Sequence, residues 1–237
     1  MGDPGSMSSR QTGGPGPMTG AGRPRISGFI FLALLLGMVI AEPALESHRY
    51  GPVIQATTYT GALLAGLWVI GRSRKMLATM GALIAPALAA RWINHFWPGV
   101  LPHAVVAALV MAPVGYMIAV LFGFILRARR VDASVLCAAI SNFLMIGVLW
   151  AFAYQLVDAL VPGSFSLMGT ASGAVLPSFT PFYFSIVTMC TVGYGDITPV
   201  SPVARMLALL EAMTGTFYMA ILIARLVAMH SSVPAEE

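Results

Sequence analysis

Thr191-Val192-Gly193-Tyr194-Gly195-Asp196 lies between two long apolar stretches of the chain. A loop whose successive backbone carbonyls face one axis must alternate between ordinary and left-handed conformations, and Gly193 and Gly195 adopt the second kind without steric penalty. Thr191 adds a hydroxyl oxygen at the inner end, Val192 and Tyr194 carry side chains that can pack outward and hold the loop open, and Asp196 sets a carboxylate at the mouth. A ring of such carbonyls is one way to replace the hydration shell of a cation.

The residues on either side suit a loop of this kind. Pro177-Ser178-Phe179-Thr180-Pro181 is a turn cluster, with Thr180 fit for an N-cap and Pro181 for the first helical position. A short helix is then expected from Phe182 to Cys190. Its partly negative C-terminal end would point at the axis just beneath the loop, where a cation is stabilised.

Composition excludes a soluble globular domain: 58% of the residues are hydrophobic, 9% are charged, and the mean hydropathy is +0.83. A membrane-spanning helix needs about 20 mostly apolar residues. Six stretches meet that need, Ile26 to Leu45, Pro52 to Gly71, Met76 to Phe96, Pro102 to Leu126, Ser134 to Val161 and Pro202 to Met229. The segment before the loop is too short to be another. Pro86 and Pro113 fall inside the third and fourth stretches, where kinks are expected and tolerated.

Basic residues give an orientation, because short cytoplasmic loops accumulate Lys and Arg. Arg23 and Arg25 precede the first stretch, Arg72, Arg74 and Lys75 follow the second, and Arg127, Arg129 and Arg130 follow the fourth. The alternate connections carry Glu42, Glu46, His48, Arg49, His95 and His103. Both termini are therefore expected in the cytoplasm of a multi-pass protein of the cell (inner) membrane, with the loop opening outward. The formal charge of +4 follows from this loop bias and gives no reason to expect nucleic-acid binding.

The expected organisation is a disordered N-terminus over 1–25, rich in Gly, Pro, Ser and Thr, a four-helix front region over 26–130, a pore region over 131–230 and a short tail over 231–237. No cofactor and no cytoplasmic ligand-binding domain are expected. Cys137 and Cys190 both fall in or against membrane helices, so a disulfide is not expected.

From Tyr183 to Met229 the chain resembles the pore module of tetrameric potassium channels, in the bacterial six-helix form. Thr-Val-Gly-Tyr-Gly is itself the standard illustration of a potassium filter, so the coordination chemistry comes with the resemblance. It implies an all-α integral membrane fold of six transmembrane helices plus a re-entrant pore helix, assembled as a four-fold symmetric homotetramer among membrane lipids, with K+ as permeant ion held at Thr191, Val192, Gly193 and Tyr194. Arg205 and Gly215 follow Asp196 at the spacings of an inner-helix arginine and a hinge glycine in simple bacterial potassium channels. The same pattern places Cys190, Met219, Ile223 and Val227 on the cavity and inner gate. Met219, Ile223 and Val227 also recur at four-residue spacing and so share a helix face, which equally suits a packing or lipid-facing stripe.

Departures from the family pattern concern the support of the filter. Many voltage-gated relatives have two tryptophans where this chain has Tyr183 and Phe184. Tyr183 keeps a hydroxyl donor for Asp196, whereas Phe184 has none for Tyr194. Val187 stands where the simple two-helix channel has a glutamate, so that brace is absent as well. Glu211, a carboxylate inside the last helix, needs a partner, and Thr188 or Ser185 on the back of the pore helix is the candidate.

Voltage sensing requires charges inside the membrane field, each worth about 2.3 kcal/mol per 100 mV. Pro102 to Leu126 contains none, and Arg91 of the third stretch is expected to pair with Glu42 or Glu46, so opening should depend weakly on voltage. Two other readings stay open: a nonselective monovalent cation channel of the same fold, given the missing braces, and a secondary transporter. The transporter lacks the internal repeat and midplane charge cluster usual in that class.

Overall fold

The structure is a computed structural model, and it describes residues 23–46, 51–70, 74–97, 99–128, 132–168 and 179–231. Seven helices run through these residues: α1 (Arg23–Glu46), α2 (Gly51–Ile70), α3 (Arg74–Phe96), α4 (His103–Arg127), α5 (Ala133–Leu160), α6 (Thr180–Met189) and α7 (Pro202–Ser231). The bounds follow the apolar stretches because an apolar segment can satisfy its backbone in a membrane only by coiling on itself. Among the described residues four helices are long and apolar enough to cross a membrane, namely α3, α4, α5 and α7, and the described part of α1, Gly28–Ala41, is a shorter apolar helix. Both α3 and α4 continue through their prolines, Pro86 and Pro113.

One short sheet stands beside the helices, which the sequence reading did not expect. Strands β1 (Phe165–Leu167) and β2 (Ile197–Pro199) pair antiparallel, with Phe165 opposite Pro199 and Leu167 opposite Ile197. The sheet fastens the chain just after the loop to the segment that follows α5. Its ladder continues to the loop itself, since the Met168 amide donates to the Asp196 carbonyl at 2.9 Å.

Helix α5 is the central post. Asp132 caps its start, its carboxylate accepting the Val135 amide at 2.9 Å, as an N-cap should. Ala138, Ala139, Ser141, Gly147 and Ala151 are buried along it, and small residues of this kind let helix backbones approach closely in a membrane. Helices α1, α4, α6 and α7 of the same chain all lie against α5. The front core joins Phe31, Met80, Met117 and Ile125 to Val135 and Phe152 of α5. A second core of Tyr154, Val157, Phe165, Phe184, Ile197 and Ala204 sits behind the loop.

In the front region the Arg91 guanidinium lies 4.4 Å from the centre of the Tyr59 ring, an electrostatic attraction to the ring face. The side chains of Glu42 and Glu46, its expected partners, lie outside the described residues, as do residues 1–22, Arg72, Arg129, Arg130, His48, Arg49, Pro177, Ser178 and the tail beyond 231.

Candidate functional site

Helix α6 sets the loop. Thr180 is its first helical residue, not its cap: Phe179 takes the cap position, with no side-chain cap bond, and Pro181 falls in the first turn. The aromatic residue wins that place because its ring lies beside those of Phe182 and Tyr183, each 6.3 Å away. At the other end the helix hands its last carbonyls to the loop. The Cys190 amide donates to Ile186 at 2.9 Å, Thr191 to Thr188 at 3.0 Å and Val192 to Val187 at 2.9 Å.

From there the backbone alternates. Thr191, Gly193 and Gly195 have φ of 56°, 58° and 80°, all in the left-handed region, while Val192, Tyr194 and Asp196 do not. Gly193 and Gly195 adopt this freely. Thr191 does so at a cost of about 1–2 kcal/mol, and no preference of threonine announces it in the sequence. Thr191, Val192, Gly193, Tyr194 and Gly195 are all exposed in the single chain, with Tyr194 70% accessible.

At the mouth, the Tyr183 hydroxyl donates to Asp196 Oδ2 at 2.8 Å, and the other carboxylate oxygen accepts the Ile197 amide at 3.1 Å. The hydrogen bond to Asp196, then desolvation, raises the Tyr183 phenol above its ordinary range. The rings of Tyr183 and Tyr194 lie parallel within 4°, centroids 6.5 Å apart. Phe184 points elsewhere: its ring meets Tyr154 and Phe165 edge-on at 4.9 and 5.6 Å.

Behind the loop a buried polar cluster joins three helices. Glu211 of α7 is fully buried and accepts hydrogen bonds from the Tyr154 hydroxyl of α5 and from Ser185 Oγ of α6 at 2.5 Å. Ser185 also lies 2.8 Å from the Gly147 carbonyl of α5; its single proton is shared between two acceptors. Of the two partners expected for Glu211, the structure brings Ser185 to it, while the Thr188 carbonyl serves the loop amide of Thr191. Tyr154 was not legible as a partner, being 57 residues away in sequence.

Gly215 lies in the unbroken helix α7, pressed against the end of α6. A Cβ at this position would lie 2.3 Å from the Met189 carbonyl oxygen, so absence of a side chain is a packing requirement here. Met219, Ile223 and Val227 are exposed together in the single chain. Cys190 is exposed and Cys137 buried, both as free thiols. Arg205 Nε donates to the Pro199 carbonyl at 3.2 Å, tying the start of α7 to β2, and Ser201 caps α7 by accepting the Ala204 amide at 3.2 Å.

Comparison with known proteins bears on this same region. Residues 143–231 match the family model described as an ion channel. The match runs from α5 to the end of α7 and takes in the loop, α6 and the buried cluster. What these residues resemble is a segment of an ion channel and not of an enzyme. The chain is similar to Two pore potassium channel c of Oryza sativa subsp. japonica, 38% identical over 69 residues, which cover 29% of this chain and 14% of that protein. It is 45% identical over 51 residues to Two-pore potassium channel 2 of Arabidopsis thaliana, covering 22% of this chain and 12% of the other. The inward rectifier potassium channel Kirbac3.1 of Paramagnetospirillum magnetotacticum is 36% identical over 74 residues, 29% of this chain and 24% of that one. The matched stretches therefore span at most 24% of the length of these relatives. No solved structure matches.

Proposed function

We propose that this chain is one subunit of a potassium-selective channel that passes K+ passively across the cell membrane. The observation that carries the reading is the backbone of the loop: left-handed φ at Thr191, Gly193 and Gly195 turns successive carbonyls toward one side, as a dehydrated potassium ion requires. Thr191, Val192, Gly193, Tyr194 and Gly195 then form the filter, with the ion held at the first four, and Asp196 stands at the mouth. One loop per chain surrounds an ion only when four chains close a ring, so the working unit is a homotetramer. The exposed apolar loop and the exposed stripe of Met219, Ile223 and Val227 support this, since assembly would cover the first and leave the second lining a cavity with Cys190.

In this reading six helices, α1 to α5 and α7, cross the membrane while α6 re-enters it. The front region is 26–130, the pore region 131–230, and both termini are cytoplasmic. Tyr183 and Asp196 support the mouth, and Glu211 with Ser185 and Tyr154 supports the back of α6. Gly215 seats α7 against α6 and is also the place where α7 bends. Opening is only weakly voltage-dependent, because α4 has no Lys or Arg before Arg127.

The test is the reversal potential of purified protein in a planar bilayer with potassium on one side and sodium on the other. Reversal near the potassium equilibrium value in the wild type, abolished by Gly193→Ala, supports the reading; reversal near zero with robust current overturns selectivity. The position of Phe184, turned toward Tyr154 and Phe165 and without a hydroxyl for Tyr194, favours the nonselective channel as the second reading.

A further inference from the structure

The last turn of α4 and the last third of α7 meet through one guanidinium. Arg225 Nε donates to the Ile125 carbonyl at 3.1 Å, and Nη2 donates to the carbonyls of Leu126 and of Ala128 at 2.8 Å. Ile125 is buried and Arg225 partly so. The end of a helix leaves carbonyls without intrahelical partners and carries a partial negative charge. A planar fork of donors serves several of them in one fixed geometry, which the compact, freely rotating ammonium of a lysine does not.

Arg225 continues a face. Tyr218, Leu222 and Arg225 recur at spacings that share one side of α7. Tyr218 donates to the Ala139 carbonyl of α5 at 2.8 Å and its ring lies 6.1 Å from that of Phe122 of α4; Leu222 packs on the same core as Phe122. Met219, Ile223 and Val227 point away from it and are exposed. One side of α7 is thus fixed to the front helices while the other carries the stripe assigned above to the inner gate.

We propose that Arg225 is a positioning residue that latches the gate-bearing end of α7 to α4 of the same chain. Displacement of the front helices then turns or shifts Ile223 and Val227, and α1 to α4 act on the pore through this link without sensing charge. The gating consequence rests on the channel reading above; the latch itself does not.

Two variants of the full-length chain separate the latch from a basic residue that merely marks the cytoplasmic side. Arg225→Gln removes charge and fork, and Arg225→Lys keeps the charge but loses the fork. In liposome-reconstituted protein, both are expected to change open probability about tenfold, the factor for one charge-assisted hydrogen bond made in only one state. Reversal potential and single-channel current are expected to stay unchanged. Should Arg225→Gln fail to assemble, Arg225→Lys decides alone. Spin labels at Phe124→Cys and Ala228→Cys, with Cys137 and Cys190 replaced by Ser and labelled chains diluted among unlabelled ones, give a second readout. The α4–α7 distance distribution should broaden in both variants. Lys behaving as wild type in either measurement overturns the latch, as does an unaltered distance in Arg225→Gln. A wild type that passes no current defeats the channel reading, and the distances still judge the latch.

Discussion

The hydroxyl of Tyr183 donates to Asp196 Oδ2 at 2.8 Å, joining the first turns of α6 to the residue that closes the loop. Tyr183→Phe deletes this bond and leaves the ring stack on Tyr194. A several-fold fall in the K+/Na+ permeability ratio is expected, together with current that decays during recording. An unchanged reversal potential and steady current would show that the bond does not support the filter.

Glu211 answers two hydroxyls at once. Glu211→Ala strands the Tyr154 donor in a buried site, at about 1–3 kcal/mol, while Ser185 keeps the Gly147 carbonyl as its acceptor. Denaturant unfolding of the assembled protein in detergent should register this as a lower midpoint. Glu211→Gln, which keeps an acceptor oxygen, is expected to fall in between, and Tyr154→Phe should cost about 1 kcal/mol. Wild-type stability in Glu211→Ala would assign the cluster no structural weight.

Gly215→Ala has a sign that separates two roles. If conformational freedom were all that mattered, alanine in a helix would be more stable than glycine by about 0.5–1 kcal/mol. Against the Met189 carbonyl, 2.3 Å from the added carbon, overpacking costs about 1–3 kcal/mol instead. We expect net destabilisation and a displaced α6, read as a lower unfolding midpoint and altered filter selectivity. A stabilised variant with normal current would leave Gly215 as a hinge only.

The conductance–voltage curve in a symmetrical bilayer should be shallow. A single charge crossing the whole field contributes about 2.3 kcal/mol per 100 mV, and Arg91, set over the Tyr59 ring, is a strongly basic residue away from the ends of the front helices. Arg91→Gln should leave the slope of that curve unchanged; a steep wild-type curve would contradict this.

The helices were legible because a membrane helix announces itself over some twenty residues: the ends of α3, α5 and α7 fall within a few residues of the apolar stretches. The loop was legible through its glycines. Strands β1 and β2 were not, since three residues apiece are too few to display a two-residue period and their pairing joins segments far apart in the chain. The same distance hid Tyr154 from Glu211 and Arg225 from α4. Glu211 itself stood out as a carboxylate among apolar residues, and only the fold could choose Ser185 over Thr188. The left-handed Thr191 breaks the preference of its residue type, which is where local reasoning fails at a site whose surroundings impose the backbone.

The loop is moored at both ends by main-chain bonds, Val192 to Val187 below and Met168 to Asp196 above, each at 2.9 Å. Between these moorings stand Gly193, Tyr194 and Gly195, two of them residues whose peptide planes turn over at little cost. On the channel reading proposed above, a conduit suspended in this way has a place to fall silent that asks no helix to move: flipping the carbonyls of this short span would empty it of ions while every abutment stayed where it is.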